Sequence, residues 1–188
     1  MSELETEVIG EEEIEVPSTL PVLPLKETVV FPQSMTPLAI GQERSIKLVD
    51  EVASGDRMLA LVGVRDEDAE TPGWDDLQEV GTAAVVHKLI RIPDGTLRIL
   101  VQGVKRIRLE RRVHDEPYLI GEFAEVPEIV EESKELEALT RNVQSLFGRI
   151  IAALPYLPEE LSIAAANVED PNSLSFLVAS TMRLKTEE

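Results

Sequence analysis

One β-hairpin constrains this chain more than any other stretch of its sequence. Residues 81–109 form two runs rich in β-branched side chains, and a Pro-Asp-Gly turn at residues 93–95 joins them. The proline sets the φ of a type I turn, and the glycine can adopt the left-handed conformation of a bulged three-residue loop. The turn predicts that Ile92 pairs with Thr96, which sets the register of both strands behind it.

This register gives the hairpin two different faces. One face is apolar and is predicted to be core: Val85, Leu89, Leu97, Ile99 and Val101, with His87 and Arg91 at its margins. The opposite face mixes charged and apolar side chains: Lys88, Arg98 and Gln102 with Val86, Ile90 and Leu100. Apolar residues on a solvated face indicate a binding surface.

Composition excludes whole classes of protein. A hydrophobic share of 43% in 188 residues permits one ordinary domain, or a larger and a smaller one. No apolar run approaches the roughly 20 residues of a membrane span, and the acidic N-terminus is unlike a signal peptide. The absence of cysteine excludes disulfides and fits a reducing compartment. We therefore expect a cytoplasmic protein that does not contact a membrane.

The charge of this chain argues against nucleic acid as a partner, since a formal net charge of −18 leaves little basic surface to displace phosphate counterions. Residues 1–17 hold seven glutamates and are predicted to be an acidic, disordered tail. The main basic cluster contains no aromatic residue that could stack on a base: Lys105, Arg106, Arg108, Arg111 and Arg112. We interpret it as the solvated or partner-facing side of a strand.

Residues 18–126 are predicted to form a β-rich domain. The prolines of the run 20–25 favour an extended strand that lies at a sheet edge or pairs on one side. A short helix follows Gly41, and Met58 to Val64 reads as a buried strand. The polar segment 65–79 is predicted to be a loop whose Trp74 folds back as a lid. The segments 29–32 and 37–40 continue the extended character around a loop at 33–35. With these, the hairpin and a last strand at 118–126, the chain has about six strands and one short helix in a small, partly closed β-barrel.

Residues 127–188 are predicted to be a helical subdomain, so the fold class is α+β. The first helix, residues 131–154, carries one apolar seam: Leu136, Leu139, Val143, Leu146, Ile150 and Leu154. A second helix spans 159–167. The third helix begins at Asp170-Pro171, an N-cap followed by proline at the first helical position, and runs to about Met182.

The sequence contains no recognisable catalytic or metal-binding motif. It lacks a Gly-rich phosphate loop and a Gly-x-Ser-x-Gly turn. Neither His87 nor His114 has the paired spacing of a zinc site. We therefore expect no catalytic residue, cofactor or metal in this chain, and a binding function instead.

Several motifs resemble the N-terminal domain of Lon, the ATP-dependent bacterial protease. The run Leu20 to Leu25, followed by Val29 to Pro32, is similar to the opening signature of that family. The glycine-led segment 41–46 and the strand entry at 81–82 are similar as well. So are the turn region 89–103 and the helix start Glu169-Asp170-Pro171 with Leu174. The resemblance covers about residues 20–186, and Gln33 stands where many relatives have glycine.

The resemblance implies a role in substrate recognition. Full-length Lon carries this domain ahead of a helical linker, an ATPase module that uses ATP and Mg, and a Ser-Lys protease module, assembled as a hexamer. The implied partners are therefore the rest of the hexamer and unfolded, damaged or degron-bearing proteins, and the chain itself would have no enzymatic activity. The alternative is a stand-alone binding module of the same type without a protease.

Ten residues are the predicted client contacts. The apolar members are Leu25, Phe31, Pro32, Met35, Pro37, Ile90 and Leu100, and the polar rim is Glu43, Arg44 and Lys47. Leu100 would be ordinary core if the helical half or the Trp74 loop covered its face. The three charged residues would be ordinary solvated helix charges if they lay away from the site.

Overall fold

The structure is a computed structural model and describes residues 14–66 and 68–182. The strands in these ranges are β1 (Thr19–Leu25), β2 (Met35–Ile40), β3 (Met58–Gly63), β4 (Val80–Arg91), β5 (Leu97–His114) and β6 (Ile120–Glu125). The α-helices are α1 (Glu43–Ser54), α2 (Lys134–Ala153), α3 (Glu160–Asn167) and α4 (Pro171–Met182), and a short 3-10 helix spans Trp74–Asp76. The predicted α+β class, with six strands and a following helical subdomain, is confirmed.

The strands form one mixed sheet in which five strands close into a ring. Their order is β2-β5-β4-β3-β1-β6, and β5 also pairs with β6. β1 and β3 run parallel, and the other neighbouring strands run antiparallel. Among residues 14–66 and 68–182, β2 pairs only with β5, so it is an edge strand attached to the ring. This arrangement is the predicted partly closed barrel.

The hairpin turn has the predicted geometry. The Ile92 amide donates to the Thr96 carbonyl at 2.9 Å, and the Gly95 amide donates to the Ile92 carbonyl at 3.0 Å. Gly95 has a φ of +91°, which a residue with a side chain rarely adopts. Asp94 accepts hydrogen bonds from the Thr96 amide and hydroxyl, which holds the pKa of its carboxyl below the usual value.

The predicted faces of β4 are wrong near its middle. Val86 pairs with Val101, Lys88 pairs with Leu100, and His87 between them is not paired with any residue of β5 in the ladder. This extra residue is a β-bulge, which shifts the alternation of side chains by one position. Val86 is therefore buried in the core, whereas Val85 lies on the opposite side of the sheet.

β1 is not an edge strand, but each half of it has a ladder on one side, which is the second arrangement that its prolines predicted. Residues 19–21 pair with β6, and residues 22–25 pair with β3 on the other side. Within the described ranges, each half of the strand has a ladder on one side only. Pro21 and Pro24 can therefore each direct the ring nitrogen, which carries no hydrogen, towards the side that has no ladder.

Two apolar clusters lie on the two sides of the sheet. The first packs α1, through Leu48 and Val49, against inward-facing residues of five strands. The second includes Trp74 and Leu77, and Trp74 is 8% exposed and donates its indole N–H to Asp115 at 2.5 Å. Trp74 thus covers the barrel, as predicted. β3 contributes to both clusters and is buried on both faces.

The helices form a third apolar cluster of their own. Phe147 and Ile151 of α2 pack against Ala165 of α3 and Leu174 of α4. The last strand ends at Glu125 and α2 begins at Lys134, on either side of the predicted domain boundary. Most of the predicted acidic tail lies outside the described residues, but Val16 at its end packs against the second cluster.

The segment between β1 and β2 crosses the barrel at Gly103 of β5. The Gly103 amide donates to the Ser34 carbonyl at 3.0 Å, and its carbonyl accepts from the Gln33 amide at 2.9 Å. A Cβ atom at this position would lie 2.1 Å from the Phe31 carbonyl oxygen. Only glycine lets the two backbones approach this closely.

We expect Gly103→Ala to destabilise the protein by roughly 1–3 kcal/mol, because the backbone at Phe31 must move to admit the methyl group. Urea unfolding measures this loss. The matched control is Gly41→Ala, whose added Cβ would meet nothing closer than Thr96 Cγ2 at 3.9 Å. A Gly103→Ala protein as stable as the control would contradict the close crossing.

The N-cap of α4 makes stability depend on pH. Asp170 accepts from the Ser173 hydroxyl at 2.7 Å and from the Ser173 amide at 2.8 Å. These bonds lower the pKa of the Asp170 carboxyl, and the bond from the Ser173 hydroxyl has the largest effect. Partial burial acts in the opposite direction but is outweighed. A carboxylate whose pKa is lowered by folding stabilises the protein above its unfolded pKa, and this contribution is lost as the pH falls through the folded pKa.

Asp170→Ala should therefore cost about 0.5–2 kcal/mol at neutral pH. The cost should shrink as the pH falls from about 4, the ordinary pKa of an aspartate in the unfolded chain, through the lower pKa of the folded carboxyl. Asp170→Asn is the matched control, because it keeps an acceptor oxygen without a titrating group. Thermal unfolding across this pH range tests the account, and a cost that stays constant down to the lowest pH would contradict it.

Candidate binding surface

Three rows of side chains cross β2, β5 and β4 on the side of the sheet away from the first cluster. In these rows, Met35 is opposite Gln102 and Val85, Pro37 is opposite Leu100 and Lys88, and Ala39 is opposite Arg98 and Ile90. Directly opposed residues on neighbouring strands place their side chains on the same face, about 4.5–5.5 Å apart. We call these nine residues the outer face.

The outer face exposes a large part of its apolar surface. Ile90 is 57% exposed and Met35 is 50% exposed, and Pro37 is also exposed. Leu100 is half-buried and belongs to none of the three apolar clusters, so it is not ordinary core. Exposed Lys88 and Arg98 lie among these residues. The surface is thus apolar with cations interspersed.

Proline is suited to its position on β2. The Gly103 amide bonds to the Ser34 carbonyl, and hydrogen bonding to β5 alternates along the strand from there. Met35, Pro37 and Ala39 consequently direct their backbone polar groups away from β5, towards the free edge. At such a position, the missing N–H of proline breaks no ladder bond.

The turn before β2 is held rigidly against the barrel. The Ser34 hydroxyl donates to the Phe31 carbonyl at 2.7 Å, and buried Thr82 donates its hydroxyl to the Val30 carbonyl at 2.6 Å. Gln33 has a φ of +63°, a left-handed conformation that glycine adopts at lower cost. Many relatives have glycine at this position, and the left-handed backbone at Gln33 is one that glycine adopts readily.

A cleft of about 410 Å³ adjoins the outer face at Met35. The β1–β2 turn forms one wall, with Pro32 and Gln33, and α3 and α4 form the other, with Phe176 and Leu177. Sequence reasoning missed both α4 residues. The sequence shows that α4 has more apolar side chains than one packed face of a short helix needs, which indicates a second contact surface but does not identify its residues.

The structure divides the apolar residues predicted to bind clients. Met35, Pro37, Ile90 and Leu100 come together on the outer face, and Pro32 lines the cleft although it is mostly buried. Phe31, in the same turn, is half-buried. The assignment of Leu25 is wrong, because it is only 7% exposed and points into the first apolar cluster.

The three charged residues predicted as a polar rim lie elsewhere. Glu43, Arg44 and Lys47 of α1 line a groove of about 500 Å³ together with Thr71 and Pro117. Arg44 also donates to the Asp115 carbonyl at 2.5 Å. No strand pairing or hydrogen bond among the described residues joins these three to the outer face.

Tyr118 anchors α1 beside that groove. Its hydroxyl donates to the Glu51 carboxylate. Burial, followed by this hydrogen bond and the charge of Glu51, raises the pKa of Tyr118 to about 12. The phenol therefore stays protonated at neutral pH and acts as a structural donor.

The basic cluster on β5 is largely paired with carboxylates. Four of its five cations form ion pairs: Lys105 with Glu125 at 3.0 Å, Arg106 with Glu128 at 2.8 Å, Arg112 with Asp75 at 2.7 Å, and Arg111 with Glu122. The last pair lowers the pKa of Glu122, chiefly through its hydrogen bond from Arg111. This cluster thus presents little unbalanced positive charge.

In residues 14–66 and 68–182, no group of three or more His, Cys, Asp or Glu residues is placed to hold a metal ion. None of the helices in these ranges is long and apolar enough to cross a membrane.

Comparison with known proteins identifies similar domains. The family model described as "ATP-dependent protease La (LON) substrate-binding domain" matches residues 19–188. The chain is 37% identical over 174 residues to a Lon protease of Dictyoglomus thermophilum and 38% identical over 178 residues to Lon protease 1 of Herpetosiphon aurantiacus. These alignments cover 93% and 92% of this chain, but only 22% of each relative.

Solved structures share the fold. The N-terminal domain of a Mycobacterium avium complex Lon protease superposes with a TM-score of 0.72 at 22% identity, covering 89% of this chain and 85% of that one. A Lon N-terminal domain protein from Xanthomonas campestris gives a TM-score of 0.55 at 20% identity, covering 86% of this chain and 98% of that one.

Proposed function

The chain belongs to the family of substrate-binding domains of the ATP-dependent protease Lon, and from this premise we propose that its outer face captures unfolded polypeptide segments. Unfolding exposes apolar side chains, and a domain that captures unfolded proteins needs exposed apolar surface of its own. The observation that carries the proposal is the group of Met35, Pro37, Ile90 and Leu100 on one face.

The spacing of the outer face suits an extended client. Met35, Pro37 and Ala39 follow one another at every second position of β2, which places them about 7 Å apart. Alternate side chains of an extended polypeptide have the same spacing, so a client lying along β2 can contact each in turn. The free edge of β2 offers backbone hydrogen bonds beside these contacts.

The cleft extends this surface and gives it depth. An apolar client side chain that enters beside Met35 would contact Pro32 from the barrel and Phe176 and Leu177 from α4. A concave apolar site buries more of a side chain than an open sheet does. The cations Lys88 and Arg98 favour clients with an acidic residue next to the apolar segment.

In the whole protein, this capture would deliver unfolded, damaged or degron-bearing proteins to an ATPase module and a Ser-Lys protease module in a cytoplasmic hexamer. ATP and Mg would bind to that ATPase module. The ion-paired state of the basic cluster on β5 supports a protein client over a nucleic acid.

We expect the double variant Met35→Ser/Ile90→Ser to bind an unfolded model client severalfold more weakly. Both side chains are at least half exposed, so each change should alter stability by less than about 0.5 kcal/mol. Fluorescence anisotropy with labelled, permanently unfolded α-lactalbumin measures the affinity, and thermal unfolding checks the fold.

The matched control is Ile163→Ser on α3, which removes an apolar side chain that is 63% exposed and that belongs neither to the outer face nor to the lining of the cleft. Lys47→Glu tests whether the groove beside α1 also contributes, as the sequence predicted. Equal client affinity in the double variant and the Ile163→Ser control would refute capture on the outer face.

A further inference from the structure

Helix α2 carries an apolar stripe that the subdomain leaves uncovered. Leu139 is 54% exposed, Val143 38%, Leu146 53% and Ile150 51%. Their spacing of four, three and four residues places them along one side of the helix. Most of the seam predicted from the sequence therefore faces solvent.

The contacts of α2 fix the direction of this stripe. A different side of the helix packs into the subdomain, where Phe147 and Ile151 are each 3% exposed. On that side the Gln144 amide donates to the carbonyls of Ala165 and Val168, both at 3.0 Å. α2 therefore cannot turn the stripe inward without breaking its packing against α3.

The spacing of the stripe is that of a coiled-coil seam. With half-buried Leu136, its residues alternate at intervals of three and four, which is the a and d pattern of a heptad. Aliphatic residues occupy all five positions. Such a seam fits a second helix of the same pattern more closely than an irregular apolar chain.

Two opposite charges flank the stripe symmetrically. Glu135 and Arg149 are exposed, lie two heptads apart on the same side of the seam, and have Asn142 midway between them. Fourteen residues of helix span about 21 Å. Neither residue forms an ion pair among the described residues. When two such helices run antiparallel about Asn142, each Glu135 meets the Arg149 of the other helix.

We propose that a second copy of this chain covers the stripe, through an antiparallel pair of α2 helices related by a two-fold axis near Asn142. The surface is self-complementary, as a two-fold interface requires: apolar seam against apolar seam, and two Glu135–Arg149 pairs by symmetry. A parallel pair would instead place Glu135 near Thr140 and give no charge pairing.

The interface is expected to be weak. Four or five aliphatic side chains from each copy bury less than the roughly 1,200 Å² of a stable complex, and the net charge of −18 adds repulsion between copies. The surface is distinct from the outer face, so this inference and the proposed client capture can fail independently.

Sedimentation equilibrium of the 188-residue chain tests the pairing at physiological ionic strength. We expect a concentration-dependent monomer–dimer equilibrium that Leu139→Ser/Leu146→Ser abolishes and Ile163→Ser, the exposed apolar change on α3, leaves unaltered. A chain that stays monomeric at high micromolar concentration would overturn the proposal, as would dimers that the stripe variant does not dissociate.

Charge reversal tests the orientation. Arg149→Glu should weaken the dimer roughly tenfold, since it places two pairs of carboxylates opposite each other. Adding Glu135→Arg to the same chain should restore the dimer. Thermal unfolding of each variant separates pairing from folding. If the double reversal is as weak as Arg149→Glu alone, the helices do not pair in the antiparallel register.

Discussion

Strand β5 hydrogen-bonds to β2, β4 and β6, and its register determines which side chains reach the core and which reach solvent. A slip of one residue would exchange the two faces of every ladder it makes. Its 18 residues bend because Val104, Glu110 and Val113 have no direct partner on the neighbouring strand. Such bulges add the local twist that lets a short sheet close into a ring.

Local chemistry predicted much of this fold. The Pro-Asp-Gly turn specified the pairing of Ile92 with Thr96, and the capping and periodicity of the helical half placed α2, α3 and α4 within three residues of their observed starts. The bulge at His87 could not be predicted in the same way. The position of a bulge depends on how the strands close into a ring, and these strands are far apart in sequence. The bulge at His87 places Val86 in the core.

The binding surface depends on the same long-range pairing. Met35 and Pro37 are more than fifty residues from Leu100, and only the β2–β5 ladder brings them together. Leu25 has similar apolar character, but its strand turns it into the first apolar cluster. The α4 side of the cleft was missed because no local pattern tells which apolar residues of a short helix face another subdomain. The charges of β5 also depend on long-range pairing: Lys105 and Arg111 meet their carboxylates across the β5–β6 ladder, and Arg112 meets Asp75, far away in sequence.

Backbone amide NMR of the 20.8 kDa chain during titration with an unfolded client tests most directly whether the outer face is the capture site. The resonances of residues 35–39, 85–90 and 98–102 should shift first, together with those of α4 beside the cleft. The resonances of the exposed stripe on α2 should not change at the same client concentration. Shifts confined to α1 or α2, with the three strands unchanged, would contradict the account.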